Sequence, residues 1–438
     1  LTVRTTAPTA ATRLLDAFEG VIGIPLPVRV RCWDGSEAGA DADLTVVFRN
    51  RRAIRRVLWS PNELGFVRAY VSGDLEIDGD IFRLLTLPQL VDRLGKLSLR
   101  SPDRRIVLRS LATFLRLAGP GLPPRPPSVE VSRRRGAKHT KARDASSVSH
   151  HYDVGNDFYR LFLGPTMVYS CGYWDRQPKS SGDSGTLDDA QIDKLDLICR
   201  KLGLGPGMRL LDIGCGWGSM ALHAAEKYDV SVVGITLSRE QCQWARARVE
   251  EAGLTDRIEI RVQDYRDVAD GPYDAISSIG MSEHVGASAL PGYAAKLFGL
   301  LKPEGRLLNH AIASVVAREG GNGNGLIDNY IFPDGEVLPL SRTVDAFERA
   351  GLEVRDTEAL REHYALTLRA WVDRLRDSWD DAVRLVGGER ARTWLLYLAA
   401  SALGFEEKDR LTIHQVLAVR PSDDGSSGLP RTRSLWLG

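Results

Sequence analysis

Residues 208–219 read MRLLDIGCGWGS. The stretch begins as a short apolar run of strand type and ends in three glycines, Gly214, Gly216 and Gly218, with Asp212 just ahead of them. A strand that turns sharply into a helix needs backbone conformations open to glycine, and glycine lets a ligand approach the main chain closely. Alone the pattern is a weak signal, and what surrounds it decides its meaning. A helical run follows through Tyr228, then SVVGIT (231–236) as a strand and SREQCQWARARVEEAG (238–253) as a helix. IEIRVQD (258–264), YDAISSIG (273–280) and GRLLNHAIA (305–313) read as further strands, with helical segments between the later ones. This βαβα alternation predicts a doubly wound parallel sheet of Rossmann-like type. A helical insertion interrupts it over 366–408, where Leu366, Trp371, Leu375, Trp379 and Val383 recur at helical spacing, and RLTIHQVLAVR (410–420) reads as a late strand.

The ends of the second and third strands indicate what the glycine loop holds. A dinucleotide site calls for an acidic residue at the end of the second strand, to bind a ribose hydroxyl. Here that strand ends in GITLS, with Thr236, and the third ends in QDY, a usual position for residues that hold an adenine ring. The combination favours S-adenosylmethionine over a nicotinamide cofactor.

Upstream, residues 11–100 mix a helical opening, ATRLLDAFEGVI, with short alternating strands, VRVRCW and LTVVF, as in a small α+β domain. Residues 101–119 look helical, with apolar Ile106, Leu108, Leu111, Phe114 and Leu117. The expected boundaries are a small N-terminal domain over 1–119, a linker over 120–147, a catalytic domain over 148–420 and a disordered Ser/Gly-rich tail over 421–438. The linker is Pro-rich and then basic, with Arg133, Arg134, Arg135, Lys138, Lys141 and Arg143 close together. Two readings stand beside each other: a solvated connector, or adsorption to anionic lipid headgroups.

Composition narrows the class. The chain has 438 residues and a net charge of +1, so the molecule as a whole is no polyanion binder, and no nucleic-acid partner is expected. Its five cysteines are scattered without a C-x-x-C pair, which argues against a disulfide framework or a zinc site and fits a reducing compartment. No apolar run has signal-peptide character or approaches the roughly 20 residues of a membrane span, so a cytoplasmic location is expected. Arg greatly outnumbers Lys, and Ala and Gly are abundant, a bias of GC-rich genomes.

Five ordered motifs now come together: HHYDVGNDFYRLFLGPTMVYSCGYW (150–174), LLDIGCGWG (210–218), GITLSREQ (234–241), SIGMSEHVG (278–286) and HYALTLRAW (363–371). Together they resemble the cyclopropane-fatty-acyl-phospholipid synthase family, which includes mycolic acid cyclopropane synthases and the methyltransferases that begin 10-methyl branched, tuberculostearic-type acids. The likeness runs from about His150 to about Arg420, and the N-terminal domain resembles the family's lipid-binding extension. The resemblance implies a class I S-adenosylmethionine-dependent methyltransferase fold, the insertion shaping an acyl-chain tunnel. It implies that Tyr169 and Ser170 contact the cofactor and that Gly214 and Gly216 line its methionine end. Thr236 and Gln241 would hold the ribose region, and Asp264 and Tyr265 would flank the adenine. It also implies that Glu283, His310 and Tyr364 orient a bicarbonate ion as base, aided by backbone groups of Cys171 and Ile312.

Without the motif, a lone histidine on a strand such as His310 is more often a satisfied core residue, whereas a carboxylate at a strand end such as Glu283 is rarely structural. Most of the aromatics in 150–174 are expected to be core, with Tyr169 the exception. Cys171 and Cys215 are not expected as nucleophiles, because the chemistry needs no thiolate. Where many relatives carry a cysteine near LAASALGF (398–405), Ser401 stands here, which argues against a covalent role there.

The implied reaction is attack of an acyl-chain alkene on the sulfonium methyl, giving a carbocation that loses a proton to a weak base. Its product is a cyclopropane or, with a slight lean from the compositional bias, a 10-methylene chain. Expected partners are unsaturated acyl phospholipids, met by peripheral contact at the inner face of the membrane. A homodimer and a reductase acting on a methylene product are left open. The rivals are a small-molecule methyltransferase of secondary metabolism and a non-catalytic lipid-binding protein.

Overall fold

The computed structural model describes residues 7–40, 43–87, 104–130, 141, 143, 154–175, 185–315, 326–331, 335–406 and 411–437. They form two compact units, one of residues 1–132, 323–330 and 380–400, the other of 133–322, 331–379 and 401–438.

In the first unit, four strands, β1 (Arg29–Cys32), β2 (Glu37–Gly39), β3 (Leu44–Phe48) and β4 (Leu75–Gly79), form a sheet of order β2-β1-β3-β4. β1 and β3 are parallel and the other pairs antiparallel, an α+β arrangement as the sequence suggested. The helix Ala10–Ile22 starts at Thr9, whose hydroxyl accepts the Thr12 N–H, and stops at Gly23 in the left-handed region with φ 83°. Buried Asp74 receives Arg56 Nε at 2.8 Å and Asn50 Nδ2 at 2.8 Å, which fixes the helix Arg51–Trp59 to the start of β4.

The boundaries differ from the sequence expectation. Residues 380–400, placed with the catalytic domain, pack into the first unit, and so do 326–330. Long-range polar contacts explain this: Arg392 Nη2 meets Glu76 at 3.1 Å, Glu389 accepts both the N–H and the hydroxyl of Ser128, and the Tyr330 hydroxyl donates to Glu130 at 2.8 Å. Glu130 also takes a forked pair of bonds from Arg68, so the Pro-rich end of the supposed linker is anchored. Of the basic run, Arg133, Arg134, Arg135 and Lys138 lie outside the described residues, while Lys141 pairs with Asp267 at 2.5 Å.

The second unit is built on seven strands, β5 (Arg209–Ile213), β6 (Ser231–Thr236), β7 (Ile258–Val262), β8 (Tyr273–Ile279), β9 (Leu301–Ser314), β10 (Glu353–Ala359) and β11 (Leu411–Val419). Their order is β10-β11-β9-β8-β5-β6-β7. β5 through β9 pair in parallel, whereas β11 is antiparallel to both neighbours, so the sheet is mixed rather than wholly parallel. This is a doubly wound, Rossmann-like arrangement. Alternate residues of β5 enter opposite cores: Leu210 joins the helices over one face and Leu211 those over the other. That is why the strand reads as continuously apolar. The chain runs outward from β5 to β6 and β7, then returns to β8 on the other side, leaving a crevice at the carboxyl end of β5.

The tail also departs from expectation. Instead of being disordered, Arg433 meets Asp356 at 3.2 Å and Glu358 at 3.6 Å, carboxylates that β10 presents beside buried Lys201. Two acids on one edge strand give the arginine a fixed counter-charge, which composition alone does not reveal.

Candidate active site

The turn after β5 is held by Gly214 and Cys215, whose N–H groups both donate to the Ile235 carbonyl, at 2.9 and 3.0 Å. Gly214, Gly216 and Gly218 have φ of 77°, 54° and 83°, in the region that L side chains avoid. A side chain on Gly214 would collide with Met281, whereas one on Gly216 would meet nothing within 4 Å and would project into open space. Over this turn lie two adjoining clefts of about 820 and 560 Å³, open mouths included, which share Gly214, Gly216, Gln241, Ile279 and Gly280.

All eight residues expected at the cofactor line these clefts. Thr236, Gln241, Asp264 and Tyr265 border the larger, Tyr169 and Ser170 the smaller, and Gly214 and Gly216 both. Their polar groups are largely organised by one another. The Thr236 hydroxyl donates to Gln241 Oε1 at 2.9 Å, and Ser238 caps the helix Arg239–Glu251 through the Gln241 N–H. Asp264 accepts from the N–H, Nε and Nη2 of Arg266; burial raises its pKa, but these bonds prevail and hold it below the usual range. Tyr265 sets its ring edge-on to Tyr293 at 5.1 Å. The cleft thus offers an amide, hydroxyls, an aromatic ring and bare backbone, a donor set that suits a sulfonium nucleoside and supplies no phosphate cradle.

Two further polar residues stand here: Asp212, which the sequence placed at the turn without a role, and Lys194, which it missed. Both are buried and line the smaller cleft. Lys194 Nζ donates to the Ser170 hydroxyl at 2.9 Å, and Asp212 Oδ1 accepts from Ser277 at 2.7 Å while Oδ2 has no partner. Burial raises the Asp212 pKa to about 6 and lowers that of Lys194 to about 8. The available signal was a lysine on the apolar stripe of the helix Leu187–Leu202, among Ala190, Leu195 and Ile198.

The five residues expected at the base do not line these two clefts: Cys171, His310 and Tyr364 are buried, and Glu283 and Ile312 are half-buried. Glu283 lies on the short helix Ser282–Val285 after β8, and its Oε1 accepts the Ile312 N–H at 2.8 Å. That N–H is therefore bound to Glu283. The other oxygen, Oε2, is buried without a partner, and burial pushes the carboxyl up to about 7 against the opposing bond from Ile312. His310, two residues before Ile312 on β9, is also buried, and burial holds its pKa well below the usual value. Its Nδ1 faces Gln415 Nε2 at 3.4 Å and its Nε2 has no partner. Cys171 is sealed, its Sγ 3.2 Å from the Gly172 carbonyl, and burial raises its thiol pKa far above the usual value. Tyr364 lies on the helix Arg361–Asp377 with its ring 4.7 Å from that of Phe405.

Aromatic rings join the two regions. Tyr169, at the cleft, lies 5.3 Å from Trp371, which lies 6.1 Å from Tyr364 and 6.1 Å from Phe162. Phe158, Tyr159 and Phe162 are core, and Tyr169 alone of the ring cluster Phe158–Tyr169 reaches the cleft lining; Tyr152 lies outside the described residues.

Residues 139–416 match the family model described as mycolic acid cyclopropane synthetase. The chain is 42% identical to a probable fatty acid methyltransferase of Mycobacterium tuberculosis, over 94% of this chain and 95% of that one. It is 40% identical to the cyclopropane-fatty-acyl-phospholipid synthase of Escherichia coli, over 63% of this chain and 68% of that one. Among solved structures, the mycolic acid cyclopropane synthase CmaA1 complexed with SAH and CTAB aligns with a TM-score of 0.58 and 33% identity, over 63% of this chain and 97% of that one.

Proposed function

The chain belongs to the mycolic acid cyclopropane synthetase family and is an S-adenosylmethionine-dependent methyltransferase, and we propose that it transfers a one-carbon unit to the double bond of unsaturated acyl chains in phospholipids. The observation that carries this reading is that two of the residues expected at the base each keep a buried polar atom without a partner, Glu283 Oε2 and His310 Nε2. Such atoms are costly unless a small polar species satisfies them. A bicarbonate ion has both a donor and acceptors, so Glu283, His310 and Tyr364 fit as its holders; when bound, it would supply the proton acceptor.

S-adenosylmethionine, when bound, supplies an electrophilic methyl group on a sulfonium. With that methyl taken up by the acyl-chain alkene, positive charge would develop on the neighbouring chain carbon. Tyr169, Trp371 and Tyr364 serve here in two ways: their bulk excludes water, which would trap the cation as an alcohol, and their faces stabilise positive charge. Proton loss from the transferred methyl then closes a cyclopropane, or after a hydride shift leaves an exocyclic methylene. No thiolate is needed, consistent with the sealed Cys171.

The test is incubation with oleoyl phospholipid vesicles and methyl-labelled cofactor. Label in the acyl chain, with a mass gain of one CH₂, is expected; label in a headgroup or in no lipid would refute the reading. Proton NMR then divides the products, upfield cyclopropane signals against vinylidene protons. A methylene product would call for a reductase downstream.

Two further outcomes follow from the site. Lys194→Met is expected to raise the cofactor KM about tenfold with a smaller effect on kcat, because it strips Ser170 of its donor and leaves Asp212 buried without a nearby cation. Steady-state kinetics at varied cofactor concentration checks this. The rate is also expected to rise with pH through about 7 as Glu283 ionises to accept a hydrogen bond from the held anion. A pH profile of kcat/KM flat between 6 and 8 would speak against that role.

A further inference from the structure

The helix Arg104–Ala118, RRIVLRSLATFLRLA, turns part of its apolar content outward. Its inner face is satisfied: Ser110, Phe114, Leu117 and Ala118 are buried, and Phe114 stacks edge-on against Phe18 at 4.8 Å. On the outer face Leu108, Leu111 and Leu115, spaced by three and four residues, form one stripe and remain 64%, 45% and 58% exposed. Leu122, just past the helix, is 85% exposed. Exposed leucines in a row cost solubility unless something covers them. Beside the stripe run Arg109 and Arg116, spaced by seven, and the helix contains no acidic residue. Leucine stripe and arginine row together have the form of a helix that lies in a membrane interface, the leucines entering the acyl boundary and the arginines meeting anionic headgroups. Fifteen residues are too few to cross a bilayer.

We propose that the outer face of Arg104–Ala118 docks this protein onto an anionic phospholipid bilayer. The assignment extends the proposed acyl-lipid substrate to the surface that meets its membrane. Leucines without charge would suit a second copy of the chain equally well; the unbroken positive charge alongside selects an anionic surface.

Sedimentation of the full chain with phosphatidylglycerol vesicles, without cofactor, tests it. The triple variant Leu108→Ser, Leu111→Ser, Leu115→Ser is expected to bind at least about tenfold more weakly. Arg109→Ala with Arg116→Ala is expected to weaken binding by about tenfold at low salt, an effect that added salt reproduces. Phosphatidylcholine vesicles are expected to bind poorly throughout. Should the triple variant misfold, Leu111→Cys carrying a polarity-sensitive dye replaces it, the five native cysteines being buried; a blue shift on adding the vesicles is expected. Unchanged sedimentation of a folded triple variant, or no blue shift, overturns the proposal. So does a triple variant that changes from dimer to monomer while still binding vesicles, which would assign the face to a second copy. Wild-type turnover by the triple variant on detergent-dispersed lipid keeps this test separate from the functional reading: vesicle binding through these leucines, without acyl-chain labelling by the wild type, would sink the function and leave the docking face standing.

Discussion

Glu283→Gln is expected to lower turnover by about 10³-fold while cofactor affinity stays within about threefold. Glutamine keeps the shape and can still accept the Ile312 N–H through its carbonyl. What it loses is the charged oxygen Oε2, which is buried and has no partner within the protein. Glu283 is not among the residues that line the two clefts, so the expected effect on nucleoside binding is small. The stability change runs the other way. The carboxyl pKa is raised from 4.5 to about 7 by burial. A group raised on folding favours the native state below its unfolded value and loses that advantage as pH rises through the folded one. The wild type is therefore penalised above neutrality, by on the order of 3 kcal/mol when fully ionised, and the glutamine variant is not. Thermal unfolding at pH 8 should show the inactive variant more stable than the wild type, with the difference vanishing near pH 4. A variant that is both destabilised at pH 8 and inactive would make Glu283 a structural residue instead.

Gly216→Val is expected to weaken cofactor binding about 100-fold, measured by calorimetry. Two effects act together. At φ 54° a β-branched residue is strained. Its side chain would also enter the open space above the turn, where no protein atom stands within 4 Å. Gly253→Val is the matched control: φ is 67°, the space around it is likewise empty, and it follows Ala252, the C-cap of the helix Arg239–Glu251, away from the cleft linings. Comparable strain there should cost stability and leave the dissociation constant unchanged. Equal affinity in both variants would remove the glycine turn from the cofactor site.

What the sequence disclosed follows physical lines. The glycine turn was legible because strand, positive-φ positions and helix are adjacent in the chain, and each leaves a local mark. The strands β5, β6 and β8 were legible because burial on both faces makes them largely apolar, and β7 because Ile258 and Ile260 alternate with exposed Glu259. β10 was not, since an edge strand reading EVRDTEA with one face in water has little apolar pattern to show. The assignment of 380–400 and 326–330 to the first unit was illegible for another reason: it rests on Arg392 with Glu76 and Tyr330 with Glu130, partners hundreds of residues apart. Lys194 was hidden by the rule that lysines are exposed. Its position on an apolar stripe contradicted that rule, and the contradiction was the clue. Of the outward leucines of Arg104–Ala118, Leu108 and Leu111 were seen as apolar positions and Leu115 was not; only the fold separates the stripe facing the domain from the one facing solvent.

The central claim is that a carbocation on the acyl chain loses a proton from the methyl group just transferred. Cofactor carrying a fully deuterated methyl tests this most directly, with mass spectrometry of the modified acyl chains. Cyclopropane closure and methylene formation both break one bond to deuterium in that methyl, so either product should retain two of the three deuterons. Retention of all three would mean simple methyl transfer without loss of a proton from that carbon, and would contradict the account.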